Sequence, residues 1–142
     1  MTSFFFAIYT FSIMKGGDYM SKNNIKGGIS MDTINEFLNR FLKSHTGIDG
    51  EKIQDLRPKM RCADGFTVSV QASKYHYCEP RIDGYCEYVS VELGYPNAED
   101  LLIIGYAEDL DDPTETVYGY VPIELVNELA EKHGGIVNEV ES

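Results

Sequence analysis

The sequence has few cysteines, few basic residues and no apolar run long enough to cross a membrane. Three cysteines, an odd number without dense spacing, exclude the disulfide framework of a small secreted domain, so reduced thiols are expected. The formal net charge is -11, from 12 Lys and Arg against 23 Asp and Glu. Such a charge repels nucleic acid and anionic membranes and permits a basic protein as the partner.

An apolar run, FFFAIYTFSIM, covers residues 4–14 near the start of the chain. It falls short of the roughly 20 residues that a transmembrane helix needs, so a membrane span is not expected. No basic residue precedes the run, and Lys15-Gly16-Gly17 after it makes a poor signal-peptidase site. The sequence therefore predicts a cytoplasmic protein rather than a secreted one.

The tripeptide Lys-Gly-Gly occurs twice, at residues 15–17 and 26–28, each time shortly before a methionine. The codons AAAGGAGGN encode this tripeptide and match the purine-rich ribosome-binding sequence of bacterial messages. A translated leader and a flexible glycine-containing tail both fit the pattern, and both make residues 1–30 a non-structural N-terminal extension. The working chain then begins at Met20 or Met31.

Apolar side chains recur at helical spacing directly after the extension, at Ile34, Phe37, Leu38, Phe41 and Leu42. Thr33 and Glu36 have the spacing of a capping box, and Gly47 follows as a stop signal. The pattern predicts a helix over residues 32–45. A polar connection is expected from Gly47 to Asp55.

The stretch from Met60 to Arg81 contains the clearest hairpin signal of the chain. Its turn is Ala63-Asp64-Gly65, because Asp and Gly both tolerate left-handed backbone. After the turn the side chains alternate between apolar and polar, the period of two expected of a strand with one buried face; the apolar positions are Phe66, Val68, Val70 and Ala72.

Further patterns predict three more strands and a closing helix. The strands lie near residues 88–93, at the short apolar run 101–104 and at 116–121. For the run 101–104, part of a helix that begins at Asn97 is the less favoured alternative. The helix begins at Pro122 and stops at Gly134-Gly135.

Residues 31–137 are predicted to form a single α+β domain, followed by a short acidic tail at 138–142. A largely antiparallel sheet of four or five strands would be covered by an N-terminal and a C-terminal helix, because each apolar helix stripe must pack on an apolar sheet face.

Several phrases carry a family resemblance: MRCADGFTVSVQAS, HYCEPR, YAED, VYGYVP and EKHGGI. Through them the chain resembles, from about Met60 to Ile136, a family of small proteins that bacterial phages and conjugative elements carry. The resemblance implies a mobile genetic element as the source. It also implies an accessory or counter-defence role, such as that of anti-CRISPR proteins.

Tyrosine is the most suggestive feature for function, since eight tyrosines fall between residues 75 and 120. Tyrosine is enriched at recognition surfaces because it offers a large contact area at a small entropic cost. Tyr118 and Tyr120 are expected to share a strand face and to form an aromatic patch. Its rim would be the acidic loop before them, with Asp109, Asp111 and Asp112 as partner-binding residues.

Two arrangements in the chain indicate alternative sites. Arg57, Arg61 and Arg81 would form an anion pocket if they gathered, although pairing with nearby carboxylates is favoured. The acidic loop lacks the EF-hand order of ligands and is interpreted as solvated rather than as a cation site.

The cysteines and one histidine form the remaining candidate set, Cys62, His76, Cys78 and Cys86. Three thiolates and an imidazole make a legitimate zinc shell, yet the tight knuckle spacing of zinc sites is absent. Buried thiols acting as small hydrophobic groups are favoured over metal. A thiol nucleophile with His76 as its base is disfavoured, because neighbouring strand positions do not provide the required hydrogen bond.

The sequence therefore predicts a non-enzymatic acidic binding or inhibitor protein that engages a basic surface of a host protein without a cofactor. The alternatives are a small-anion or nucleotide-binding module and a small zinc-dependent protein.

Overall fold

The computed structural model of the chain describes residues 25–26, 29–30 and 33–138. The chain divides into two units, Met1–Met31 and Asp32–Ser142. The second unit is α+β, with two helices and antiparallel sheets of four and two strands. No helix in the described part of the chain has the length and apolar character that crossing a bilayer requires.

In the first unit, strands β1 (Ile25–Lys26) and β2 (Ile29–Ser30) pair antiparallel over two residues. The rest of the predicted extension at 1–30 lies outside the described residues. The predicted acidic tail at 138–142 also lies outside them, except for its first residue.

The larger sheet of the second unit has the strand order β5-β6-β7-β8, and every neighbouring pair is antiparallel. This confirms the predicted antiparallel sheet. Its strands are β5 (Met60–Arg61), β6 (Thr67–Gln71), β7 (Ser90–Gly94) and β8 (Val117–Pro122).

The hairpin between β5 and β6 forms where the turn chemistry predicts it. Gly65 adopts φ +98° and donates its N–H to the carbonyl of Cys62 at 3.0 Å. Asp64 accepts the Phe66 N–H through Oδ1 at 2.9 Å, which closes an Asx turn. Val68 and Val70 are buried while Thr67 and Ser69 are half-exposed, as the alternation predicts. Gln71 departs from the alternation, because it is buried and exchanges hydrogen bonds with the backbone of Arg57.

A β-bulge interrupts the pairing of β7 with β8. Val91 pairs with Val121 and Leu93 with Tyr118, so one residue of β7 faces both Gly119 and Tyr120. The extra residue changes which face each later side chain of β8 occupies.

The first helix, α1, spans Ile34–Arg40 and begins with the predicted capping box. Thr33 accepts the Glu36 N–H through Oγ1 at 3.2 Å, and Glu36 Oε1 accepts the Thr33 N–H at 2.9 Å. The helix is shorter than predicted because the next residues pair as a hairpin. Its strands are β3 (Ser44–Thr46) and β4 (Lys52–Gln54), and the expected polar connection forms the turn between them together with β4.

The second helix, α2, spans Ile123–Lys132 after Pro122, as predicted. It ends at His133, and the next residues, Gly134 and Gly135, adopt φ +94° and +95°. Glycine reaches such angles without steric cost, which explains the stop. A Cβ on Gly134 would also lie only 2.9 Å from the Cβ of Ala63.

The predicted strand at Leu101–Ile104 is wrong. Asp100 accepts the Leu102 N–H through its side chain and the Ile103 N–H through its carbonyl, which bends the chain into a turn. A short 3₁₀ helix follows at Ile104–Tyr106. Only Ile103 of the run is fully buried, and Leu101 is exposed.

The core is one cluster of buried side chains from α1, α2 and the larger sheet. The two helices also meet through a hydrogen bond from the Ile34 N–H to Oδ1 of Asn127 at 2.8 Å. The largest fully buried members are Tyr88, Tyr118, Phe37, Ile34, Leu38, Met60, Leu93 and Ile103.

A closing segment, residues 136–138, lies along the outer edge of β5. Ile136 pairs with Cys62, and the Val137 N–H donates to the carbonyl of Arg61 at 2.8 Å. Asn138 accepts the Arg61 N–H through Oδ1 and donates to the Lys59 carbonyl through Nδ2. The outer edge of β8 is covered in a similar way, because Ala107 pairs with Tyr118.

Candidate functional site

Tyr118 lies in the core, and its predicted place in an exposed aromatic patch is wrong. The side chain is fully buried, and its hydroxyl donates to the carbonyl of Pro113. The β8 bulge separates Tyr118 from Tyr120, so the two rings do not share a face as a regular strand would require. Tyr118 instead holds the end of the acidic loop against β8.

Tyr120 is 44% exposed and contacts Tyr77, which is 43% exposed. The two ring centroids are 5.8 Å apart at an angle of 32°, and the Tyr120 N–H donates to the Tyr77 carbonyl at 3.0 Å. The Tyr77 N–H donates to Oε1 of Glu92 at 2.9 Å. We call Tyr77 and Tyr120 the tyrosine pair.

The bulge and a glycine give the tyrosine pair its position. Tyr77 crosses so close to β8 that a Cβ on Gly119 would lie 3.2 Å from the Tyr77 Cβ. The guanidinium of Arg81 lies over the Tyr77 ring, 5.7 Å from its centroid and in cation–π range. The pair is therefore held by backbone hydrogen bonds and leaves part of each ring exposed.

Tyr120 adopts φ +53°, and Tyr95, just after β7, adopts φ +51°. They are the two non-glycine residues with positive φ in the described part of the chain. Left-handed backbone costs a bulky L-residue roughly 1–2 kcal/mol, so each ring is presented at an energetic cost that glycine or asparagine would reduce.

The acidic loop, residues 108–115, lies just before β8 and is mostly exposed. The Glu108 N–H donates to the Val117 carbonyl at 3.0 Å, and the Asp109 N–H donates to the Thr116 hydroxyl at 3.2 Å. Asp109 Oδ1 then accepts the Asp111 N–H at 3.0 Å. Backbone turns thus fix the loop, and the predicted partner-binding carboxylates, Asp109, Asp111 and Asp112, face solvent.

Charge is segregated along the chain around this loop. Residues 82–131 contain five Asp and eight Glu, thirteen carboxylates in all, and no Lys, Arg or His. This segment includes β7, the acidic loop, β8 and nearly all of α2. The part of the domain that carries Tyr120 is therefore a source of negative potential.

The predicted anion set does not form a shared pocket around Arg57. Arg57 is 4% exposed, and its guanidinium donates to the carbonyls of Leu38 at 2.9 Å and Ala72 at 3.1 Å. Burial lowers its pKa. Arg81 stacks on Tyr77, and Arg61 is exposed on β5. Arg57 is a structural residue because its donors are used on backbone carbonyls.

In the predicted zinc set, Cys62, Cys78 and His76 are buried or hydrogen-bonded within the fold, and Cys86 is exposed. Cys78 is fully buried and donates its thiol to the Ser73 carbonyl at 3.2 Å, and burial raises its pKa. Burial also raises the pKa of Cys62 to about 11, whereas Cys86 is exposed. His76 bonds through Nδ1 to the Ser73 hydroxyl at 2.6 Å, and burial lowers its pKa.

Within the described residues, no group of three or more His, Cys, Asp or Glu side chains is arranged to hold a metal ion. The geometry does not support a thiol nucleophile at Cys78 either. The Cys78 thiol is buried in the core, and the hydrogen bond of His76 is to the Ser73 hydroxyl.

Sequence reasoning missed a histidine clamp formed by His133, Asp64 and Asp100. His133 Nδ1 lies 2.6 Å from Oδ2 of Asp64, and Nε2 lies 2.7 Å from Oδ2 of Asp100. The imidazole stacks on Phe66 with the ring centroids 4.0 Å apart and the planes at 8°. Lys132 Nζ contacts the other Asp100 oxygen at 3.0 Å.

The histidine clamp is an electrostatic cross-link rather than an acid–base site. Both ring nitrogens face carboxylates, so both must donate, which requires the imidazolium form. Burial alone would lower the pKa of His133, but the bonds to Asp100 and Asp64 outweigh it and raise that pKa. No ring nitrogen is left for a substrate. The only sequence signal was a histidine at the C-terminal end of a helix, a position that favours a cation.

Comparisons of the chain with protein-family models, with curated proteins and with solved structures found no match. The function is therefore inferred from the geometry of these sites.

Proposed function

We propose that this chain is a non-enzymatic acidic protein that binds a basic surface of a partner protein. The observation that carries the proposal is the exposed, conformationally strained Tyr120, set in a segment with thirteen carboxylates and no basic side chain. An exposed aromatic anchor that belongs to an acidic segment of the chain suits a cationic protein surface.

The two parts of the surface have different roles. The carboxylates attract a basic partner over a distance of about one Debye length, roughly 8 Å at physiological ionic strength, and so raise the association rate. Exposed charges contribute little after docking, because water and salt screen them. The tyrosine pair then supplies the desolvated contact that slows dissociation.

The groups that could suggest an enzyme are used within the fold. The imidazole of His133 is held between two carboxylates, the Cys78 thiol is buried, and Ser73 is 3% exposed. This use of the reactive groups favours a binding role over catalysis.

The resemblance to proteins of phages and conjugative elements suggests a partner in the bacterial host, in the cytoplasm, and a counter-defence role of the anti-CRISPR kind. In this proposal the two helices cover one face of the larger sheet, and the partner approaches the other face. The acidic surface would then imitate nucleic acid in a phosphate-binding channel of the partner.

The test begins with a partner captured from a bacterial lysate at low salt and then purified. Association and dissociation rates are measured at two salt concentrations for the wild type, for the double variant Asp111→Asn/Asp112→Asn and for Tyr120→Asn. The acidic-loop variant should associate more slowly and with a weaker salt dependence. The tyrosine variant should mainly dissociate faster.

Matched controls are available in the same chain. Asp49→Asn removes an exposed carboxylate from the β3–β4 turn, outside the acidic segment. Tyr95→Asn removes a ring with the same backbone strain and a similar exposure, 47%, outside the tyrosine pair. If association ignores both the salt concentration and the acidic-loop changes, the proposal is wrong.

A further inference from the structure

We infer that Tyr120, Tyr77 and Glu92 form a receptor for an arginine side chain of the partner. The inference rests on the proposed function and adds to it the chemical group that is recognised. The ligand class is a planar guanidinium on a protein, as distinct from any cation.

The geometry of the bulge brings the three residues together. Glu92 on β7 faces the bulged residues of β8, Gly119 and Tyr120. Its Oε1 accepts the Tyr77 N–H at 2.9 Å, and the Tyr77 carbonyl accepts the Tyr120 N–H at 3.0 Å. A carboxylate and two partly exposed rings thus share one small area of the sheet, with the carboxylate fixed by a backbone bond.

The chain itself contains an example of the proposed contact. The guanidinium of Arg81 lies 5.7 Å from the Tyr77 ring centroid. The tyrosine pair therefore already accepts one guanidinium, on Tyr77, and Tyr120 offers the second ring. Arginine can stack flat on this ring while its N–H groups reach a carboxylate, whereas the compact ammonium of lysine cannot match both.

The backbone at Tyr120 supports a role for its ring. Asparagine or glycine would hold φ +53° with less strain, and the exposed ring does not fill the core. The same reasoning provides a variant that removes the ring without harming the fold. Tyr120→Asn should melt at or above the wild-type temperature, since asparagine tolerates left-handed backbone.

The test uses two probes, an oligo-arginine and an oligo-lysine peptide of equal length, and measures affinity by calorimetry and contacts by NMR. The wild type should bind the arginine peptide about two- to five-fold more tightly than the lysine peptide, the range expected of an exposed cation–π contact. Resonances of Tyr120 and Glu92 should shift with the arginine peptide. Tyr120→Asn should abolish the preference, and the matched control Tyr95→Asn should retain it.

A second variant, Glu92→Gln, keeps an acceptor for the Tyr77 N–H and removes the charge, and it should reduce the arginine preference. Equal binding of the two peptides, or a preference that survives Tyr120→Asn, would overturn the receptor and leave the acidic-surface proposal standing. Failure of both peptides to bind at low salt would overturn both proposals.

Discussion

Replacing His133 with glutamine should remove most of the loss of stability that the wild type shows as pH rises above about 6.5, the ordinary pKa of histidine. The histidine clamp joins three segments: the β5–β6 turn through Asp64, the loop after β7 through Asp100, and the end of α2. In the folded protein His133 holds a proton that the unfolded chain releases near neutral pH.

The direction of the pH effect follows from the pKa shifts. Bonds to the two carboxylates raise the pKa of His133, so its contribution is complete below 6.5 and is lost as pH rises through the raised value. The bond from His133 lowers the pKa of Asp64. For Asp100, burial alone would raise the pKa, but the hydrogen bonds from His133, Leu102 and Lys132 outweigh burial and lower it. Their contributions are lost as pH falls below their ordinary value of 3.8. The clamp is most stabilising between these limits.

The size of the effect depends on the buried half of the clamp. Asp100 has a side chain 3% exposed, whereas the Asp64 side chain is 50% exposed and screened by water. Without His133, Asp100 retains its bonds from Lys132 and the Leu102 N–H. Losing one buried, charge-assisted bond should therefore cost about 2 kcal/mol near pH 6. In a domain of this size that lowers the melting temperature by roughly 8 to 12 °C.

The assay is urea denaturation at a series of pH values, with NMR titration of the histidine ring protons. Above pH 6.5 the wild type should lose at most about 1.4 kcal/mol per pH unit, the limit for a single proton, and His133→Gln should lose much less. His45→Gln is the control, because its contact with Asp55 is exposed, with side chains 58% and 40% accessible. It should change stability by less than about 1 kcal/mol near pH 6. Parallel curves for the wild type and His133→Gln would refute the reasoning.

Three further predictions concern packing and reactivity. In urea denaturation, Gly134→Ala should lower the free energy of unfolding by at least about 1 kcal/mol, because φ is +94° and the new Cβ would meet Ala63. The control Gly105→Ala places its Cβ in open space and should change the free energy of unfolding far less. Arg57→Met should lower it by about 2 kcal/mol in the same assay, because the Leu38 carbonyl loses its guanidinium donor and the Ala72 carbonyl keeps only the bond from Gln54. A thiol reagent should label Cys86 rapidly in the native protein and the two buried cysteines only after denaturation; three fast thiols without denaturant would contradict the burial.

The elements predicted correctly from the sequence are those that short-range signals determine. The capping box at Thr33 acts over three residues, the Asp64-Gly65 turn over four, and the Gly134-Gly135 stop within one helical turn. In each case the interacting groups are neighbours in the chain, so the sequence alone contains the information.

The parts that were missed depend on contacts between distant residues. The bulge at Gly119 and Tyr120 follows from the register of β8 against β7, and a regular alternation wrongly gave Tyr118 an exposed face. The histidine clamp joins residues 69 and 33 positions apart. The contact of Tyr77 with Tyr120 likewise joins a loop before β7 to β8, 43 positions further along the chain. Of the candidate site, the sequence therefore indicated Tyr120 and the acidic loop, and it gave no sign of the ring that pairs with Tyr120.

The closing segment along β5 has a consequence for how other chains can approach the sheet. Residues 136–138 pair with the edge of β5, and Ala107 and Glu108 pair with Tyr118 and Val117 at the start of β8, so the backbone groups at these two places are engaged within the molecule. Another polypeptide cannot extend the sheet by adding a strand there without first displacing one of these segments. Removing residues 136–138 should expose the edge of β5 and favour its pairing with another chain.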